Sequence, residues 1–362
     1  MKVLLICSKS SVIINFRKKL IEKLQSLGHQ VAAIAFDRDN EEEIVSRGIE
    51  YHCCFDDNRS LNPFKTLTLS GRIARKIKLI NPDIVFTFML KPNIYGVRGA
   101  KKAGCNKIYS MVEGAGDVFI NNGIKWKLIR AVVCRGYKKS FKQSEKVFFL
   151  NNDDKAEFIR RGLVKDEQCE IVCGVGVDVE HFAYQPVETT DTFLMISRLL
   201  PTKGVFEYCE AAKIVKEKYP NVTFNLLGSE GTIKAEDIKE YTDRGIVSYL
   251  GQTDDVRPYI GKCGVYVLPS YREGFSVSIM EAQSVGRAVI TCDTNGTRDA
   301  VRDGIDGFLV PVKDSRALAE KMMYFLEHSD KMEEMGKNAR AVVEEKYDHR
   351  KINDKICKVI GV

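Results

Sequence analysis

The sequence lacks several patterns that mark common protein classes. It has no G-x-G-x-x-G loop after its first predicted strand and no G-x-x-x-x-G-K-[ST] motif, which argues against dinucleotide-dependent oxidoreductases and P-loop NTPases. It has no run of about 18 apolar residues, so no transmembrane helix is predicted. The first residues have a strand pattern that is too short to be a secretory signal.

Paired cysteines and clustered histidines are also missing. The eleven cysteines include no C-x-x-C pair, which predicts reduced thiols rather than disulfides or zinc sites. The five histidines do not cluster. Asp37-Arg38-Asp39 follows a predicted strand, where acidic turn residues are commoner than a metal motif. We therefore expect neither a metal site nor a cofactor.

Acidic residues are scarce in one part of a chain that carries a net charge of +7. Between residues 101 and 146 eleven lysines and arginines are opposed by three acids, which suits an anionic membrane, a nucleic acid or a phosphorylated acceptor. Within this block, residues 118–141 mix aromatic and aliphatic side chains with basic ones. That mixture fits a segment lying on a membrane surface, and it also fits an ordinary amphipathic helix.

What is present is a regular alternation of strand and helix patterns over 362 residues, enough for two domains. The pattern restarts after a stretch around residues 174–190. This order predicts an α/β fold with two doubly wound, Rossmann-like domains and a ligand cleft between them. We place the first domain at residues 1–176, the second at 177–345 and a charged helical segment at 346–362.

The stretch Arg272–Glu281 has the pattern of an anion site. A loop after the predicted strand Val265–Leu268 leads into a predicted helix, with Ser276 as its N-cap. Free backbone N–H groups and the helix dipole favour a phosphate there. Glu281 lies on an otherwise apolar helix, where a carboxylate needs a partner such as the paired hydroxyls of a ribose.

Two cations follow the predicted strand Phe193–Ser197 at the same edge of the same sheet. Arg198 and Lys203 could neutralise a diphosphate, or they could be solvated surface residues; the neighbouring anion site favours the first interpretation. In the first domain, Glu113 follows a predicted strand beside glycines. It could serve as a base or a hydroxyl ligand, and a plain turn residue is an equal alternative.

In their order, these motifs resemble those of the GT-B retaining glycosyltransferases of family four. The motifs of the second half are Gly174–Asp178, Ser197-Arg198-Leu199 with Lys203-Gly204, Glu273-Gly274-Phe275 with Glu281-Ala282, and Gly304–Val310. The resemblance implies that Arg198 and Lys203 bind the donor diphosphate and that Glu281 binds the ribose. It further implies that Glu273 and the backbone of Gly274, Phe275, Ser276 and Val277 bind the donor sugar and phosphate, and that the last helix packs on the first domain.

The first half resembles bacterial enzymes that extend undecaprenyl-diphosphate-linked sugars for capsule, O-antigen or N-glycan assembly. The motifs concerned are Asn15-Phe16-Arg17, Leu61-Asn62-Pro63-Phe64, Lys91–Gly96 and Tyr109–Gly114. The resemblance implies that the acceptor is bound by Asn15, Arg59, Lys91 and Glu113. Many members of the broad family have a histidine where this chain has Glu113.

The resemblance implies a metal-independent, retaining glycosyltransferase. Its substrates would be a UDP-sugar, donating a hexose or N-acetylhexosamine, and a lipid-diphosphate-linked saccharide. We expect catalysis to involve Glu273, Arg198, Lys203 and Glu113, at the cytoplasmic face of the plasma membrane and without nucleic acid. The alternatives are a transferase for soluble acceptors, a nucleotide-sugar epimerase, and a non-enzymatic protein that binds membranes or nucleic acids.

Overall fold

The computed structural model describes residues 1–55, 68–114, 116–120 and 123–362. The chain divides into two units, of which unit 1 comprises Met1–Val175 with Arg350–Val362 and unit 2 comprises Gly176–His349. The boundary predicted after residue 176 lies one residue beyond this division. Within the described ranges, no helix combines the length and apolar character needed to cross a bilayer.

Unit 1 is built on a parallel sheet. Its strands are β1 (Lys2–Ile6), β2 (Gln30–Ala35), β3 (Glu50–Cys53), β4 (Ile84–Phe88), β5 (Ile108–Val112), β6 (Lys146–Phe149) and β7 (Cys169–Ile171). In the described residues their order is β3-β2-β1-β4-β5-β6-β7. The central strands are mostly apolar and buried because helices cover both faces. The order reverses between β1 and β4, which leaves a crevice at their carboxyl ends.

The helices of unit 1 cover this sheet. They are α1 (Ser10–Phe16), α2 (Lys18–Ser26), α3 (Glu41–Ser46), α4 (Leu69–Ile80), a π-helical turn (Pro92–Gly96), α5 (Val97–Ala103), α6 (Asp117–Ile120), α7 (Ile124–Phe141) and α8 (Asn152–Arg160). Leu69, Ile73 and Ile77 of α4 pack in the same apolar cluster as Leu4 of β1. This packing holds α4 against the sheet.

Unit 2 repeats the same architecture. Its strands are β8 (Thr192–Ile196), β9 (Thr223–Leu227), β10 (Ser248–Tyr249), β11 (Val265–Leu268), β12 (Ala288–Cys292) and β13 (Gly307–Val310). All described pairings are parallel, in the order β10-β9-β8-β11-β12-β13. The order reverses between β8 and β11, the two strands that the Arg198 and Glu273 loops follow.

The helices of unit 2 are α9 (Val205–Lys218), α10 (Lys239–Asp243), α11 (Arg257–Gly261), α12 (Val277–Ser284), α13 (Ser315–Glu327) and α14 (Ser329–Val342). The last helix, α15 (His349–Ile360), groups with unit 1. There Lys23 forms an ion pair with Asp354 at 2.7 Å, and the ammonium of Lys355 donates to the carbonyl of Ile171 at 2.6 Å.

Three helix predictions are wrong in detail. The amphipathic pattern of residues 15–27 predicts one helix, but the structure has an interruption at Arg17, where α1 ends and α2 begins. The sequence pattern over residues 297–302 also predicts a helix, but residues 297–300 form turns, because the Thr297 hydroxyl donates to the carbonyls of Cys292 and Thr294. The tail from residue 331 to about 359, which the pattern predicts to be helical, is interrupted at Asp348, whose ψ of 124° is extended.

Candidate functional site

In unit 2 the loops after β8 and β11 are joined at the reversal of the sheet. The amide of Tyr271 donates to the carbonyl of Thr202 at 2.9 Å, and the hydroxyl of Ser270 donates to the same carbonyl at 3.2 Å. Gly204, with φ of +75°, lies so close to Pro269 that an added Cβ would overlap its carbonyl oxygen. The backbone therefore fixes the Arg198–Lys203 segment beside the Glu273 loop.

The side chains of Lys203 and Glu273 form an ion pair across this junction. The loop after β12 supports Glu273 from its other side. The amide of Glu273 donates to the carbonyl of Asn295 at 3.0 Å, and Gly296, with φ of +80°, lies against the carbonyl of Glu273. Asn295 and Gly296 therefore have a structural role, the support of the Glu273 loop.

The loop then enters α12 as predicted. Ser276 has extended backbone angles, and its hydroxyl accepts a hydrogen bond from the amide of Ile279 at 3.4 Å, which confirms it as the N-cap. The ring of Phe275 is buried against Tyr347, with centroids 5.1 Å apart. Its side chain is thus part of the core, and Gly274–Val277 can offer a ligand their backbone amides at a helix N-terminus.

Glu281 lies one turn into α12. Among the described residues none donates a hydrogen bond to its carboxylate. Burial raises the pKa of Glu281 from its ordinary value of 4.5 to about 8. A partly buried carboxyl group without a described partner is suited to a ligand that brings hydroxyl groups to it.

Arg198 is exposed beside these groups, and its guanidinium forms no ion pair with any residue in the described ranges. The residues behind Arg198 were not predicted from the sequence. The hydroxyl of Ser197 is buried and has no hydrogen-bond partner among the described residues, while Gly228 and Gly231 lie against the backbone of Ser197 and Leu199. The glycines just after β9 could have indicated these contacts, since close backbone approach requires glycine.

In unit 1, Arg17 and Glu113 meet at the carboxyl ends of the central strands. Their side chains form an ion pair, although 96 residues separate them in sequence. The Arg17 side chain is 2% exposed, and its guanidinium carbon lies 4.3 Å from the ring centroid of Phe88. Met89, the next residue, has φ of +73°, a strained conformation for a non-glycine residue. Such strain is commonest at functional sites.

The other predicted acceptor residues are placed less closely together. Asn15 is exposed at the end of α1, and Lys91 is buried at the start of the π-helical turn. Arg59 lies outside the described residues. The Asp37 carboxylate accepts from the amide of Ser10 at 3.2 Å, which supports a turn role rather than a metal motif for Asp37.

The helix α7 carries exposed apolar side chains within the basic segment. Ile124, Leu128 and Val132 are 80%, 66% and 66% exposed and recur every four residues, on one face of the helix. Exposed Lys125 and Lys127 flank this stripe. An apolar stripe bordered by lysines is suited to a membrane interface.

The eleven cysteines all lie in the described residues, and no disulfide joins them. Within the described part of the chain, no three His, Cys, Asp or Glu residues come together as a metal-binding group.

Comparison with known proteins identifies the class to which this architecture belongs. The family model "Glycosyl transferase 4-like" matches residues 2–149, and "Glycosyl transferases group 1" matches residues 177–342. HepE of Anabaena, solved in complex with UDP, has a TM-score of 0.81 at 16% identity, covering 100% of each chain. This likeness shows the fold, that of the GT-B glycosyltransferases, with two Rossmann-like domains.

Two curated relatives extend this result. The N,N'-diacetylbacillosaminyl-diphospho-undecaprenol alpha-1,3-N-acetylgalactosaminyltransferase of Campylobacter jejuni is 30% identical over 341 residues, 90% of each chain. The UDP-Gal:alpha-D-GlcNAc-diphosphoundecaprenol alpha-1,3-galactosyltransferase of Escherichia coli is 27% identical, over 71% of this chain and 69% of that protein. The chain belongs to the group 1, GT4-like family and is a glycosyltransferase similar to these undecaprenyl-diphosphate-linked sugar transferases.

Proposed function

We propose that this glycosyltransferase moves a hexose or N-acetylhexosamine from a UDP-sugar to a saccharide linked to an undecaprenyl-type lipid diphosphate, with retention of the α configuration. The match to the Campylobacter transferase over 90% of both chains is the main support for the acceptor class. The donor class is supported by the cations, carboxylates and helix N-terminus that meet at one edge of the unit 2 sheet.

The donor site follows from the contacts in unit 2. Arg198 is exposed and unpaired with described residues, so its guanidinium is available to a diphosphate. Lys203 would exchange Glu273 for the phosphate, releasing the carboxylate for the sugar hydroxyls. The amides of Gly274–Val277 at the start of α12 would add hydrogen bonds to sugar and phosphate, and Glu281 would bind the ribose.

The reaction needs no separate nucleophile. In the proposed step, an acceptor hydroxyl oxygen bonds to the anomeric carbon on the face from which UDP departs. The bond between this carbon and the UDP oxygen breaks, and the hydroxyl proton passes to the departing diphosphate. Arg198, Lys203 and the helix N-terminus stabilise the charge that develops on the leaving group, in the place of a metal ion.

A panel of UDP-sugars offered with lipid-diphosphate monosaccharides tests this function by UDP release and product mass. Proton coupling at the new anomeric centre reports α retention. Activity should survive EDTA, and loss of transfer that magnesium restores would refute the metal-independent step. Glu273→Gln should lower kcat about 100-fold or more, as expected for a group at the reacting centre. The control Glu327→Gln removes the carboxylate of an exposed pair with Lys218, 2.8 Å long, and should retain activity.

We further propose that the enzyme is cytoplasmic and peripheral on the inner face of the plasma membrane. The stripe of Ile124, Leu128 and Val132 would enter the interface while the lysines beside it meet anionic headgroups. Replacing all three stripe residues with serine should abolish flotation with anionic vesicles at low salt. The control Leu79→Ser, which changes a 78% exposed leucine of α4, should still float. Equal flotation of the stripe variant would remove the membrane assignment.

A further inference from the structure

Arg17 occupies a position that stability alone does not explain. It is among the largest fully buried side chains of the described chain, at the interruption between α1 and α2. Burial lowers the pKa of Arg17 to about 10, so the guanidinium still carries its charge at neutral pH. A buried ion pair is often no more stabilising than apolar residues of similar volume, because both charges lose their hydration.

Among the described residues, Arg17 has one charged partner. Its guanidinium lies over the Phe88 ring and pairs with Glu113, while its buried Nε has no hydrogen-bond partner among the described residues. Cys7, which follows β1, is also buried, and burial raises its thiol pKa to about 12. The thiol is therefore neutral, and Glu113 is left as the carboxylate that balances this cation.

The pair also lies where a ligand is expected. Phe88 ends β4 and Cys7 follows β1, so Arg17 covers the crevice where the strand order of unit 1 reverses. The side chain of Glu113 is 23% exposed. Its Oε1 accepts from Arg17, whereas Oε2 accepts no hydrogen bond from a described residue. Oε1 is thus fixed by Arg17, and Oε2 is available to a ligand.

We propose that Arg17 is a positioning residue for the acceptor saccharide. By fixing Oε1 of Glu113, it directs Oε2 toward a hydroxyl of the acceptor sugar, which donates a hydrogen bond to it. Glu113 then selects and orients the acceptor. This inference deepens the proposed function and rests on it.

The test uses Arg17→Met, Arg17→Lys, Glu113→Gln and the double variant Arg17→Met/Glu113→Gln. The full chain is assayed with whichever saccharide the wild type glycosylates, so a wrong acceptor class shows in the wild type rather than in the variants. We expect Arg17→Met to lower kcat/KM for the acceptor about 100-fold, with the loss mainly in the acceptor KM. Arg17→Lys should recover at least tenfold of that loss.

The double variant separates positioning from folding. It leaves no unpaired buried charge, so it should fold even where Arg17→Met does not. If the two residues act as one unit, it should lose no more acceptor kcat/KM than Glu113→Gln alone. Affinity for UDP, measured by calorimetry, should stay within about twofold of wild type because unit 2 binds it. Additive losses, an unchanged acceptor KM in Arg17→Met, or equal losses in the donor and acceptor KM would each overturn the proposal.

Discussion

Donor binding should release a proton, because the carboxyl group of Glu281 is protonated before the ribose arrives. With a pKa of about 8, about nine-tenths of this group carries a proton at pH 7. Two ribose hydroxyls that donate to the carboxylate favour its ionised form, so its pKa falls in the complex. The proton that leaves Glu281 on binding then makes donor affinity dependent on pH.

The size of this effect follows from the same pKa. Between pH 6 and pH 8 the ionised fraction of Glu281 rises from about 1% to about 50%, so affinity should rise up to about 50-fold. Calorimetry at pH 7 in buffers of different ionisation enthalpy should report about 0.9 proton released per UDP-sugar bound. A UDP-sugar is the suitable ligand, because the terminal phosphate of free UDP itself titrates near pH ~6.

The control is Glu281→Gln, which keeps the shape of the side chain but cannot ionise. Its donor affinity should be lower than that of the wild type at pH 8 and nearly independent of pH between 6 and 8. A donor whose ribose lacks the 2′-hydroxyl should also release fewer protons from the wild type. Wild-type binding without proton release would refute the assignment of Glu281 to the ribose, and so would a pH dependence that persists in Glu281→Gln.

Four further outcomes are expected. In the absence of ligand, the free energy of unfolding should fall as pH rises from about 4.5 through about 8, because the folded-state pKa of Glu281 lies above its unfolded value. Denaturant unfolding should show a smaller fall in Glu281→Gln, and an equal fall would contradict the raised pKa of Glu281. Gly204→Ala should destabilise by about 3 kcal/mol or more, since its Cβ would overlap Pro269; the control Gly245→Ala, also at positive φ but in open space, should lose about 1 kcal/mol. Ser276→Ala should lose about 1 kcal/mol and weaken donor binding, whereas the N-cap variant Asn151→Ala in unit 1 should lose similar stability with donor affinity intact. Reductant should leave the thermal unfolding midpoint unchanged, and a drop would indicate a disulfide.

Local patterns were sufficient to predict the sheet and the start of α12. The predicted strands Val265–Leu268 and Phe193–Ser197 agree with β11 and β8 to within one residue, because buried parallel strands are short apolar runs between turns. Ser276 was identified as an N-cap because capping depends on a hydroxyl a few residues from the amide it binds. Both features are determined by neighbours in sequence.

Most of the features that the sequence patterns did not predict depend on contacts between residues distant in sequence. The amphipathic pattern of residues 15–27 hides the interruption at Arg17, whose ion-pair partner is 96 residues away. Thr297 is a local exception, because its hydroxyl donates to the carbonyls of Cys292 and Thr294, five and three residues back, where a helix was predicted. The pairing of Lys203 with Glu273 spans 70 residues, so the sequence could place both residues at one sheet edge without showing that they neutralise each other.

The ion pair of Lys203 and Glu273 affects which ligands the proposed donor site would bind. A simple phosphate that binds the Lys203 ammonium leaves the Glu273 carboxylate without its counter-charge. Glu273 therefore competes with small anions for Lys203. In the proposed reaction, a UDP-sugar would compensate both members, with its diphosphate for Lys203 and its hydroxyls for Glu273. After transfer the sugar would be gone and Glu273 would pair with the ammonium again, so the remaining UDP should be bound less tightly than the donor. The same pair would thus favour entry of the intact donor and release of the product.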